Sequence, residues 1–204
     1  MLIFKLKLNA MKKNIKMYSA LALGASAILP VACKKDNNDP NIIDKNIGLS
    51  LSIGASPSLK IDSIDIDGNG RTDMAFLIGT EDHDSTMISY LTSMNSNSAF
   101  IVNANYTVMT IEEGNQQDAI TTSSSNLGSV ALFHSKNLGS STNIGIGGQG
   151  DKYIVFAVRD AVAAPDDIHT GWMKVNLSSD LKTLTIKDLA YQKNPGVGIK
   201  VGAK

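Results

Sequence analysis

Across 204 residues the chain has one cysteine and three histidines, and aromatic side chains make up 5% of it. The lone thiol, Cys33, has no second cysteine in the chain to pair with, so in an oxidising compartment it stays reactive unless it is modified. With Trp172 the single tryptophan, no aromatic platform for stacking sugar rings is evident. His83, His134 and His169 lie far apart, and none belongs to the His-Glu-x-x-His pattern that presents two zinc ligands on one helix face. No serine sits in a Gly-x-Ser-x-Gly elbow. No apolar run reaches the roughly 20 residues that span a bilayer as a helix; the longest, from Met17, is about 16 residues and is interrupted by Gly24, two serines and Pro30. A basic surplus is missing as well. Five of the 19 basic residues and none of the 19 acidic ones precede Cys33, so 14 basic residues face 19 acidic ones from there on. That balance speaks against nucleic acid as a partner, because such binding rests on basic patches neutralising phosphates.

What is present begins with an export signal. Lys12, Lys13 and Lys16 form a basic start, Met17 to Leu29 an apolar middle, and Val31 and Ala32 the small residues before Cys33. Residues 1–32 therefore read as a leader, with Met11 as the natural start and Met1 to Ala10 as a poorly patterned extension. The small residues followed by cysteine resemble the lipobox of bacterial lipoproteins, with Pro30 where that family usually has leucine and Leu29 one step further out. The resemblance implies that Cys33 is acylated on sulfur and becomes the mature N-terminus. The Cys33-Lys34-Lys35-Asp36 opening is common among lipoproteins of Gram-negative bacteria, which implies a cell-envelope location, most simply the outer membrane. Acylation removes the reactive thiol, and at about 0.8 kcal/mol per buried methylene, two or three chains on one residue anchor a small domain stably.

The segment 33–46, rich in Lys, Asp and Asn with Pro40, has the composition of a solvated tether. Residues 47–204 are long enough for one domain with a real core. Short alternating runs separated by Gly, Ser, Asn and Asp clusters predict strands near Leu49 to Ile53, Ile61 to Ile66, Met74 to Ile78, Ala99 to Val102, Val130 to Phe133, Tyr153 to Val158, Trp172 to Leu177 and Leu184 to Tyr191. The expected fold is all-β, a single antiparallel β-sandwich or jelly-roll-like domain. Tyr153 to Val158 is apolar on both faces, as a central strand requires. The clearest local feature is a hairpin: Met173, Val175 and Leu177 alternate, a turn spans Ser178 to Lys182, and Leu184 and Ile186 resume the pattern. Met87, Leu91 and Met94 recur at helical spacing, so a helix competes over Asp84 to Met94. Gln116 to Gly128 and Gly139 to Gly150 read as long loops. The stretch from Tyr153 to Gly202, with Gly171-Trp172, Ala190-Tyr191 and Pro195-Gly196, resembles the ending of a loosely defined group of bacterial secreted β-proteins and lipoproteins, which implies fold and export but no activity.

The most specific motif after Cys33 is Asp65-Ile66-Asp67-Gly68-Asn69-Gly70-Arg71-Thr72-Asp73. Asp65, Asp67, Asn69 and Asp73 place side-chain oxygens on alternate residues and at the loop's end, Gly70 permits a sharp turn, and the Arg71 carbonyl is a further candidate ligand. Three carboxylates this close repel one another unless a cation neutralises them, so calcium in a structural role is the expected cofactor. Phe76 stands where an EF-hand has its bidentate glutamate, and the motif instead resembles the Asp-x-Asp-x-(Asp/Asn)-Gly-x-x-Asp loops between strands in FG-GAP extracellular β-proteins. That likeness covers the loop and not the fold.

Other patterns carry less. Gly145-x-Gly147-x-x-Gly150 matches a dinucleotide fingerprint in letters, but it leads into a strand and not into the helix whose N-terminus would face a pyrophosphate. Adjacent Glu112 and Glu113 point to opposite faces of any strand, and Asp82 with Asp84 and Asp166 with Asp167 read as solvated loop charge. The expected function is a membrane-anchored, non-catalytic envelope lipoprotein that binds a protein or glycan ligand or serves in surface display. The alternative is an envelope hydrolase whose site gathers distant loop residues such as His83, Asp167 and His169.

Overall fold

The computed structural model describes residues 39–54, 58–80, 87–94, 98–102, 107–120, 129–137, 141–159 and 167–204, all within the second of the two units into which the chain divides, Ala32–Lys204. Cys33 and its flanking residues, His83 and Asp166 lie outside them. The described residues contain strands and no helix: β1 (Ile42–Ser52), β2 (Leu59–Ile64), β3 (Met74–Thr80), β4 (Met87–Ser93), β5 (Ser98–Phe100), β6 (Thr110–Ile111), β7 (Gln116–Gln117), β8 (Ser129–Asn137), β9 (Ser141–Gly145), β10 (Asp151–Arg159), β11 (Ile168–Leu177), β12 (Thr183–Gln192) and β13 (Ile199–Lys200).

Two antiparallel sheets make a sandwich. The first runs β1-β12-β11-β10-β5, with β6 also on β10; the second runs β2-β3-β4-β8-β9; β13 and β7 form a short pair apart from both. Both sheets feed one buried cluster. Phe156, Met173, Val175, Leu184 and Ile186 come from the first sheet, and Met74, Phe76, Ile78, Leu91, Val130 and Leu132 from the second. Alternation decides which residues enter it, because successive side chains of a strand point to opposite faces. In β12 the inward set Leu184 and Ile186 gives way to Leu189 and Tyr191, a change of phase produced by the register shift opposite Lys174 and Val175.

The first sheet is buried on its other face too. Tyr153, Val155, Ala157, Trp172 and Ala190 form a second cluster with Ile120, Ile199 and Val201, which arrive with the segments around β7 and β13. Ile120 is fastened there by its N–H to Thr170 Oγ1, 3.0 Å. This is why Tyr153 to Val158 has no polar face, and it places Trp172 as an anchor on the covered face, edge-on to Tyr153 with ring centroids 5.4 Å apart.

The expected hairpin is β11 and β12. Its turn is closed by Ser178 N–H to the Thr183 carbonyl at 2.9 Å and by the Asp180 carboxylate, which accepts from Ser178 Oγ and from the Lys182 N–H. Two local expectations are corrected. The Asp84 to Met94 region holds strand β4 in place of a helix: Met87 packs against the core and Ser89 and Leu91 lie buried, a period of two in which a serine occupies an apolar position. The region from Gly139 to Gly150 is not one long loop, since β9 pairs with β8 through it. The tether expected to run through Asn46 is also shorter: β1 begins at Ile42, opposite Gln192, because its half-buried polar residues have a sheet edge to pair with.

Candidate metal-binding loop

The loop between β2 and β3 is built around Ile66. Its side chain is fully buried in the core, and the flanking Asp65 and Asp67 are half-buried. From there the chain folds back over itself. Asp65 accepts the Gly68 and Gly70 N–H groups on its two oxygens, each at 2.7 Å. Asp67 accepts the Asn69 N–H at 3.0 Å and the Asn69 side-chain amide at 2.7 Å, and Asn69 Oδ1 accepts the Arg71 N–H at 2.8 Å. Gly68 and Gly70 take φ of 80° and 84°, values a Cβ disfavours, and these allow the tight reversal.

Asp73 closes the loop from inside. Its N–H donates to the Ile64 carbonyl at 3.0 Å, while its own carbonyl accepts from the Met94 N–H and from Ser98 Oγ, both at 2.8 Å. Three segments thus fix its backbone and aim its carboxylate. That carboxylate is completely buried; Oδ2 accepts the Ile66 N–H at 2.7 Å, and Oδ1 has no hydrogen-bond partner. Carboxylate oxygens of Asp65, Asp67 and Asp73 lie within 4.8 Å of one another, and no other such acidic, histidine or cysteine group occurs among the described residues. Burial, reinforced by the charges of Asp67 and Asp65 and opposed by hydrogen bonding from the Ile66 and Asp67 backbone, pushes the Asp73 carboxyl up to about 6.

Of the five residues expected to ligate metal, the fold brings Asp65, Asp67 and Asp73 together and places Asn69 and Arg71 in the same turn network. The sequence reading missed Lys45. This β1 residue, assigned to a tether, reaches across to donate from Nζ to the Ile66 carbonyl at 2.5 Å, tying the loop to the opposite sheet. Nothing in the pattern around Lys45 signals that reach, since it follows from β1 and the loop meeting across the sandwich.

Of the residues named for the hydrolase alternative, His83 lies outside the described residues. His169, on β11, has Nδ1 within 2.9 Å of the Gln192 carbonyl and stands edge-on to Tyr191, Asp167 is half-buried just before β11, and His134 lies opposite Ile88 in the second sheet. Gly145 ends β9 and Gly150 precedes β10, so the glycine fingerprint is a strand-to-strand turn. An open cleft of about 600 Å³, lined among others by Asp39, Ile42, Gln116, Gln192 and Lys200, contains none of the loop carboxylates.

No protein-family model matches the chain, and comparison with curated proteins and with solved structures finds no similar one.

Proposed function

We propose that the protein is an envelope lipoprotein, anchored through acyl chains on Cys33, whose β-sandwich is a non-catalytic binding or display module stabilised by one calcium ion in the loop from Asp65 to Asp73. The observation that carries the metal reading is Asp73 Oδ1, a fully buried anionic oxygen with no partner, in a carboxylate that shares a 4.8 Å cluster with Asp65 and Asp67. A buried carboxylate compensated on one oxygen alone is costly, and a divalent cation would supply the partner Oδ1 lacks while neutralising its neighbours. Each carboxylate oxygen has two lone pairs, so the hydrogen bonds already made by Asp65 and Asp67 leave capacity for a metal.

The donor set selects the ion. Side-chain oxygens of Asp65, Asp67, Asn69 and Asp73 with the Arg71 carbonyl are hard ligands on a glycine-containing turn, which suits calcium's larger and more adaptable shell better than magnesium's strict octahedron. Affinity of roughly 10⁻⁴ to 10⁻³ M, typical of extracellular modules, is sufficient outside the cytosol. The ion's role is structural: it would lock the β2–β3 connection onto the start of β3.

Two measurements test the two halves of this reading separately. Cys33→Ser should shift the protein from the membrane fraction to the soluble one, and continued membrane retention would count against acylation. Millimolar calcium should raise the melting temperature of wild type and not of Asp65→Ala, because a ligand bound only by the native state stabilises it by mass action. A wild type indifferent to calcium leaves the loop a simple turn.

A further inference from the structure

We propose that β2 is a self-association edge, at which two copies of the chain join their second sheets by antiparallel β2–β2 pairing about a two-fold axis through Ile61. β2 is the end strand of its sheet, and among the described residues no strand pairs its open side. The hydrogen bonds to β3 fix which backbone groups are free. Thr80 N–H donates to the Ser58 carbonyl and Asp73 N–H to the Ile64 carbonyl. The even-numbered residues of β2 therefore face β3, and Leu59, Ile61 and Ser63 turn their N–H and C=O outward. Ser63 N–H is held meanwhile by its neighbour's carboxylate, Asp62 Oδ1, at 2.7 Å.

The side chains of this edge are self-complementary. With Ile61 opposite its own copy, Leu59 faces Ser63, and Lys60 faces Asp62, twice by symmetry. The Lys60 and Asp62 positions fall at the non-hydrogen-bonded sites of the new ladder, where opposed residues approach most closely. No salt bridge engages either residue among the described residues, and both are exposed. Leu59 and Ile61 are 46% and 53% exposed, two of the four exposed large apolar residues described. Across β3 and β4 the row Ile61, Leu77, Tyr90 runs along one face of the sheet, and pairing would extend it into the second copy. Open strands are commonly blunted by a bulge, a proline or charged side chains; β2 has no bulge or proline, and its two charges, Lys60 and Asp62, are of opposite sign and meet each other in this pairing. A pairing this small is weak in solution, and anchoring in one membrane would raise the effective concentration of the copies. The self-pairing itself does not depend on calcium or on acylation.

Charge reversal supplies the test, by sedimentation velocity of the full chain in a neutral detergent over a concentration series. Wild type should pass from monomer to dimer. Lys60→Asp and Asp62→Lys each create two like-charge contacts and should associate at least about tenfold more weakly. An equimolar mixture of these two variants should form a mixed dimer, and the double exchange K60D/D62K should dimerise like wild type. Both positions are exposed, and unchanged circular dichroism would show that each variant folds. A wild type that stays monomeric throughout, single variants that dimerise as wild type does, or a mixture that fails to pair would each overturn the proposal. Pairing of the edge with a segment of another protein in place of a second copy would appear as the first of these results.

Discussion

Asp73→Asn should stabilise the calcium-free protein at neutral pH while abolishing its response to calcium. The wild-type carboxyl rises from 3.8 to about 6 on folding because burial and the charges of Asp67 and Asp65 disfavour its ionised form. At about 1.4 kcal/mol per pH unit, that difference is about 3 kcal/mol. The sign follows from linkage: the folded state binds this proton more tightly than the unfolded chain. The stabilisation is therefore full below pH 3.8 and lost as pH rises to about 6. Asparagine keeps the shape and an acceptor for the Ile66 N–H but carries no charge to lose. Its buried NH₂ costs about 1–2 kcal/mol unless a neighbouring carboxylate accepts from it, which leaves a gain of about 1–2 kcal/mol at pH 8. For a domain of this size that is about 2–4 °C per kcal/mol in melting temperature. Calcium works in the opposite direction, since binding needs the ionised carboxylate and releases its proton. At ten times the dissociation constant it adds about 1.4 kcal/mol. Thermal melts from pH 4 to 8, in chelator and in calcium, should give two wild-type curves that separate above about pH 6 and one Asp73→Asn curve indifferent to calcium. An Asp73→Asn protein that melts below wild type in chelator at pH 8 and still responds to calcium would refute this reasoning.

Gly171→Ala should be among the costlier single-methyl additions, because its Cβ would lie 2.7 Å from the Ala190 carbonyl oxygen and 2.5 Å from the Phe156 ring. The backbone of β12 cannot yield as a side chain can, and we expect a loss of about 1–3 kcal/mol in urea unfolding. At Trp172 the indole N–H is buried without an acceptor. Trp172→Phe removes that orphan along with some packing and should change stability by less than about 2 kcal/mol, against about 3–5 kcal/mol for Trp172→Ala. Equal losses in the two variants would show that the N–H is satisfied in solution.

Strands were legible wherever burial was one-sided or complete. Met173, Val175 and Leu177 alternate in sequence and point into the core in that order, and the unbroken apolar run from Tyr153 to Val158 matches a strand covered on both faces. β4 was hidden by Ser89, a polar residue fully inside the period-two pattern, which left Met87, Leu91 and Met94 to suggest a helix. β1 was hidden at its start because Asp44, Lys45 and Asn46 are polar residues on an edge strand, where composition does not separate strand from tether. The loop carboxylates were legible as a spacing. What the sequence did not carry is the burial of Asp73 and the hydrogen bonds from Met94 and Ser98 that hold it, since these join segments distant along the chain.

Equilibrium dialysis against radioactive calcium tests the central claim most directly. The account predicts one ion per wild-type chain, half-bound at roughly 0.1–1 mM at pH 7.5, and none on Asp73→Asn. Wild type binding no calcium at about 10 mM, well above the range of extracellular modules, or binding it equally with asparagine at position 73, would contradict it.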